Sequence, residues 1–179
     1  MLYFHKELKE KFKSDYQIQK LVKNGELFKL DNGLYSDVKD VSCIEIIVKK
    51  YPKYVIYGES AFYFHNLTDF VPKKITLATT QNDKIRGELV KQVKFTDKLF
   101  GLGITKIKIN NVMVNIYDKE RMLLELVRSK NTMGYDMYKE IISNYRRIVG
   151  DIDIEKLEKY LSYFSHGDKL FEMIQDEVF

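Results

Sequence analysis

Apolar positions in the first 36 residues change period twice. Phe4, Leu8 and Phe12 recur at i, i+4, i+8 and predict a helix across residues 3 to 13. After the N-cap pair Ser14-Asp15, Ile18, Leu21 and Val22 recur at i, i+3, i+4 and predict a second helix, which Asn24-Gly25 closes. Glu26 to Leu30 then reads as a strand, Asp31-Asn32-Gly33 as a tight turn and Leu34-Tyr35 as the return strand. Helix, helix, hairpin is the outline of a winged helix, with two helices before the wing where three are usual. Such a module must borrow apolar surface, and the helix predicted at Ser42 to Lys50 is the nearest source.

Beyond a polar join at Asp37 to Asp40 the pattern alternates helix and strand. Pro52 stops the helix at 42 to 50, a short strand is expected at Tyr54 to Tyr57, and Glu59 to Leu67 reads as an apolar helix. Strands are expected at Lys74 to Thr80, Val90 to Phe95, Ile104 to Ile109 and Val112 to Tyr117, the last two joined by an Asn110-Asn111 turn. From residue 118 only helices are expected: Lys119 to Ser129, Tyr135 to Val149, Ile154 to Phe164 and Lys169 to Phe179. The predicted class is α+β: a minimal N-terminal winged helix over residues 1–38, then a domain over 39–179 with a small mixed sheet at 54–117 and helices at 118–179.

At 179 residues, 45% hydrophobic and 31% charged, the composition is that of a soluble globular protein. No apolar run approaches the roughly 20 residues that span a bilayer, and Met1 to Glu7 lacks the form of a secretion signal, so no membrane contact and a cytoplasmic location are expected. The single Cys43 falls among Ile44, Ile47 and Val48 and is expected to be a buried structural thiol. Net charge is +4 but uneven: residues 71–110 carry nine basic side chains against three acids, and residues 151–179 carry eight acids against three lysines. Such polarity suits nucleic acid at one face and a basic protein at the other, or two solvated faces.

The face of the second helix opposite its apolar stripe carries Tyr16, Lys20 and Lys23, flanked by Gln17 and Gln19, side chains able to reach phosphates and base edges. Lys29 and Asn32 fall on or near the wing tip. Further candidates for DNA or partner contacts are Lys73, Lys74, Lys106, Lys108, Arg146 and Arg147. Residues 1–37 hold seven lysines against six acids, so one copy would bind weakly and paired sites would be needed. His5, His65 and His166 are scattered without a second ligand at metal spacing. Gly58-Glu59-Ser60-Ala61 follows a strand and opens a helix, but Phe62 stands where a nucleophile elbow has glycine, so Ser60 is assigned to the helix's first turn. Gly101-Leu102-Gly103 lacks the lysine of phosphate-cradling loops, and Glu120 and Glu125 are expected to make solvated salt bridges. No catalytic residue, metal site or cofactor is assigned.

Tyr57-Gly58-Glu59-Ser60-Ala61-Phe62-Tyr63-Phe64-His65-Asn66-Leu67-Thr68-Asp69, with Pro72 and the strand Ile75-Thr76-Leu77-Ala78-Thr79, resembles the AbiEi-type antitoxins of bacterial abortive-infection systems, the type IV toxin-antitoxin class. Asn32-Gly33-Leu34-Tyr35-Ser36 is similar to the wing ending of that family, and Val114 to Leu123 to its strand-to-helix junction. The resemblance implies an antitoxin whose winged helix binds its own promoter as a repressor and whose second domain helps to counteract a nucleotidyltransferase toxin. The chain departs from the pattern at its front, where the usual first helix is shortened or missing. Two rivals remain: an interaction protein that sequesters a toxin without binding DNA, and, lower, a nucleotide-processing enzyme.

Overall fold

In the computed structural model, which describes residues 1–179, the chain divides into two units, Met1–Tyr51 and Pro52–Phe179. The first is built on three short strands and three helices: β1 (Leu2–Phe4), α1 (His5–Phe12), α2 (Asp15–Lys23), β2 (Phe28–Asp31), β3 (Leu34–Ser36) and α3 (Cys43–Lys50). β3 lies between β1 and β2 and is antiparallel to both. The strand β1 is not visible in the apolar pattern, because Phe4 both ends it and starts the helical repeat. Glu7 makes that switch possible: its carboxylate accepts the Phe4 N–H at 2.5 Å and so satisfies one orphan donor of α1. In the wing, Asn32-Gly33 turns the chain with Gly33 at φ +73°, and a register shift between Lys29 and Asp31 leaves Leu30 as a bulge.

Leu8, Ile18 and Leu27 form one buried cluster of this unit, with Tyr3, Phe12, Leu21, Val22 and Tyr35 packed around them, and Leu34, Ile44 and Ile47 are buried too. Leu8→Ala is expected to cost about 2–5 kcal/mol, seen as loss of hydrogen-exchange protection in α1 and α2.

The domain boundary expected at residue 38 moves to Tyr51, because α3 belongs to the first unit. Lys49 donates to Glu7 at 2.8 Å and Lys50 pairs with Asp31 beside the wing tip, while Ile44 and Ile47 are buried. The borrowed helix is therefore the third helix of the module, placed after the wing. Cys43 is exposed rather than buried. It is the first residue of α3, where no preceding helical turn covers its side chain.

The second unit holds a five-stranded mixed sheet of order β6-β5-β4-β8-β7, formed by β4 (Val55–Ile56), β5 (Ile75–Thr80), β6 (Val90–Phe95), β7 (Ile104–Ile109) and β8 (Val112–Tyr117). β5 and β6 are parallel, as are β4 and β8; β4 with β5 and β7 with β8 are antiparallel. The helices are α4 (Gly58–Phe64), α5 (Asp97–Phe100), α6 (Lys119–Arg128), α7 (Tyr135–Arg147), α8 (Ile154–Leu161) and α9 (Gly167–Val178). The class is the α+β one that the sequence predicts.

Eight of the ten residues of α6 are buried, among them Glu120, Arg121 and Glu125. The solvated salt bridges expected for the two glutamates are thus corrected: α4, α8 and α9 pack around α6, and its charges are satisfied inside. Arg121 donates from Nε (3.1 Å) and Nη2 (2.9 Å) to Glu125 Oε1, and from Nη1 to the carbonyls of Leu99 (2.8 Å) and Leu102 (3.0 Å). Its guanidinium lies 4.8 Å from the Tyr117 ring centre and 5.2 Å from that of Phe164. Glu125 Oε2 accepts from Arg128 (2.9 Å) and from the Tyr57 hydroxyl (3.2 Å). Asp118 caps α6 through the Arg121 N–H and accepts from the Tyr160 hydroxyl, both at 2.8 Å. Lys156 reaches Asp118 and Glu120 at 3.0 and 3.3 Å. Burial opposes the Lys156 charge, but the bond to Asp118 and the two carboxylates push its pKa well up. Every fully buried side-chain nitrogen or oxygen has a partner.

Ser60 and His65 have structural places too. Ser60 is fully buried, and its hydroxyl accepts the Thr76 N–H at 2.9 Å, joining α4 to β5. The His65 Nε2–H donates to the Tyr117 carbonyl at 2.7 Å, and burial lowers the imidazole pKa below its usual 6.5. A lowered folded-state pKa means that the unfolded chain binds the proton more tightly. This contribution to stability is therefore complete above about pH 6.5 and is lost as pH falls through that value towards the lower folded pKa. Thermal melts of the native chain and of His65→Gln, which keeps a donor but cannot titrate, are expected to diverge in slope between about pH 7 and 5.

Candidate nucleic-acid interface

Two residues join α1 to α2. Lys13 takes a left-handed conformation, φ +55°, and its N–H bonds back to Lys9, so α2 leaves at a sharp angle. Ser14 occupies the N-cap position, but its hydroxyl makes no capping bond. Asp15 instead turns back on α1 and accepts from Lys9 at 3.0 Å and His5 at 3.1 Å. At the other end Gly25, at φ +75°, lets the Glu26 N–H return to Leu21 and closes α2. Ile18 faces the core at 2% exposure, which fixes the rotation of α2.

That rotation turns Tyr16, Gln17, Gln19, Lys20 and Lys23 to solvent, Tyr16 being 76% exposed. Lys29 and Asn32 are exposed on the wing. The structure thus brings together on one unit all seven residues that the sequence singles out, and none spends its side chain on an internal hydrogen bond or ion pair.

The electrostatic balance is more favourable to an anion than the residue counts. Of the six acids in residues 1–37, Glu7, Asp15, Asp31 and Asp37 are each ion-paired, the last with the N-terminal amine. The bond from Lys49 holds the Glu7 carboxyl below its ordinary pKa, and that from Lys50 does the same for Asp31. Two of these four neutralising charges come from α3, which the sequence assigns to the other domain. Lys20, Lys23 and Lys29 are left without an acidic partner.

The remaining basic candidates do not form one strip. Lys106 and Lys108 alternate on the edge strand β7, opposite Asn115 and Met113, whereas Lys73 and Lys74 precede β5. β4 and β8 lie between β5 and β7, so the two pairs are separated by three strand spacings, about 14 Å. Lysine on an exposed edge also discourages pairing with a foreign strand, which gives Lys106 and Lys108 a second role. Arg146 donates to the Glu177 carbonyl at 2.7 Å and ties α7 to α9, and Arg147 bonds Asn144 at 3.1 Å. No group of three or more His, Cys, Asp or Glu side chains is placed to hold a metal ion. No helix is long and apolar enough to cross a membrane.

No protein-family description and no curated protein matches the chain. Among solved structures, the crystal structure of the RV2827C protein from Mycobacterium tuberculosis is similar, with a TM-score of 0.65 over 93% of this chain and 68% of that one. At 14% identity the likeness is one of fold: this chain shares its arrangement of elements with the mycobacterial protein.

Proposed function

We propose that the chain is an antitoxin and transcriptional autorepressor of a toxin-antitoxin operon, which binds operator DNA through α2 and the wing and counteracts a nucleotidyltransferase toxin. The antitoxin part rests on the AbiEi resemblance of residues 57–79 and 114–123. The DNA part rests on one observation: the outward face of α2 is polar, cationic and free of internal commitments, on a unit in which four of the eight acids are ion-paired. In this reading α2 lies in the major groove, where Gln17 and Gln19 read base edges and Lys20 and Lys23 bind phosphates, while Lys29 and Asn32 hold the flanking backbone. A single copy offers few phosphate contacts, so two copies act on inverted repeats. No catalytic step is assigned to the protein.

The test is a gel shift of the purified chain on its own upstream DNA against unrelated DNA, at low and high salt. Specific retention that weakens steeply with salt is expected; no retention at low salt overturns the repressor. The interaction-protein reading would then take its place, on the strength of the exposed apolar pair Phe70 and Val71, 51% and 71% accessible.

A further inference from the structure

Two adjoining cavities in the second unit, of about 320 and 380 Å³, share Glu59, Thr76 and Lys91 as lining and so form one groove. Tyr57, Met122 and Met133 line the inner part, and Phe70, Val71 and Met137 the outer. Thr76 lies on the wall that both parts share, and the Ser60 hydroxyl engages its backbone N–H.

The rim is ordered and charged. Glu140 accepts from the Thr68 hydroxyl (3.0 Å) and the Asp69 N–H (2.8 Å), and Asn144 donates to the Leu67 carbonyl (3.1 Å). The loop that exposes Phe70 and Val71 is therefore fixed to α7, and the ordering cost of presenting two apolar side chains to a partner is already met. Lys73, Lys74 and Lys91 are exposed beside them, without ion-pair partners, and outnumber the two carboxylates of the groove, Glu59 and Glu125, the second of which is paired with Arg121 and Arg128.

The same chain carries the complement. Asp168, Glu172 and Asp176 recur at i, i+4, i+8 on α9, all exposed and none ion-paired, a stripe about 12 Å long. Half-buried Phe171 lies next to it around the helix. We infer that the groove of one copy receives the acidic stripe of α9 from a second copy, with Lys73, Lys74 and Lys91 facing Asp168, Glu172 and Asp176 and with Phe70 and Val71 as apolar anchors. Two such contacts related by a twofold axis close a dimer. A protein surface fits the groove better than nucleic acid, because Met122, Met133, Phe70, Val71 and Met137 make much of its lining apolar. The purpose of the dimer rests on the operator reading; its existence does not.

Sedimentation of the full chain without DNA tests this, independently of the gel shift. The native protein is expected to dimerise, more weakly as salt rises. Lys73→Glu/Lys74→Glu/Lys91→Glu and Asp168→Lys/Glu172→Lys/Asp176→Lys are each expected to weaken self-association at least about tenfold. Mixing the two variants is expected to restore a dimer, since opposite charges again face each other, and this rescue also shows that both variants are folded. A native chain that stays monomeric, a dimer indifferent to both reversals, or a mixture without rescue overturns the inference. A monomer whose lysine variant loses DNA retention assigns the lysines to nucleic acid instead.

Discussion

A chain carrying Lys20→Glu and Lys23→Glu is expected to lose operator retention at least about a hundredfold while melting as the native chain does. Each lysine–phosphate contact is a hydrogen bond to a charged group, worth about 1.5–3 kcal/mol, and the reversal replaces two attractions by two repulsions. The fold has no stake in either side chain: both are exposed and make no internal bond, whereas Ile18, Leu21 and Val22 hold α2 in place. The neutral pair Lys20→Gln and Lys23→Gln refines the result. It should flatten the dependence of log affinity on log salt by about 0.9 for each phosphate contact removed, close to two in all. Unchanged affinity in the glutamate variant would show that α2 is not the recognition helix.

The largest loss of stability is expected in the other unit. Arg121→Leu leaves Glu125 buried with only Arg128 and Tyr57 as partners and removes the donors from the carbonyls of Leu99 and Leu102. Breaking a buried ion pair from one side costs about 3–5 kcal/mol, because the surviving charge stays desolvated. For a unit of this size that corresponds to a fall in Tm of about 10–20 °C. The double variant Arg121→Met/Glu125→Leu removes both charges and is expected to recover part of the loss, since a buried pair is worth little against packed apolar side chains. If Arg121→Leu melts within a degree or two of the native chain, the network is not what holds α6.

The elements were readable where the apolar period was long and uninterrupted. β7 and β8 lie at their predicted limits because Ile104 to Tyr117 alternates cleanly about a turn of two asparagines. β1 was not readable, since three residues carry no period and Phe4 fits the helix as well. The outward face of α2 was legible because the helix is amphipathic with a narrow apolar stripe, so Tyr16, Gln17, Gln19, Lys20 and Lys23 fall outside by rotation, while Lys29 and Asn32 are exposed by the wing. The destination of a helix is a tertiary matter: the pattern of residues 42–50 shows a helix without showing that Lys49 and Lys50 find Glu7 and Asp31. The glutamates of α6 misled for a related reason. Their spacing from Lys and Arg is that of solvated pairs, and only packing on every side of the helix turns the same residues into an interior network.

The pairing of α3 with α1 and the wing also sets the unit of inheritance. A chimera that took only the stretch up to the end of the hairpin would carry α2 and the wing but neither Lys49 nor Lys50, leaving Glu7 and Asp31 as unpaired anions. On the operator reading, the smallest segment able to transfer operator preference between such proteins would run to Tyr51. Along a lineage, wing and third helix would then have to be exchanged together.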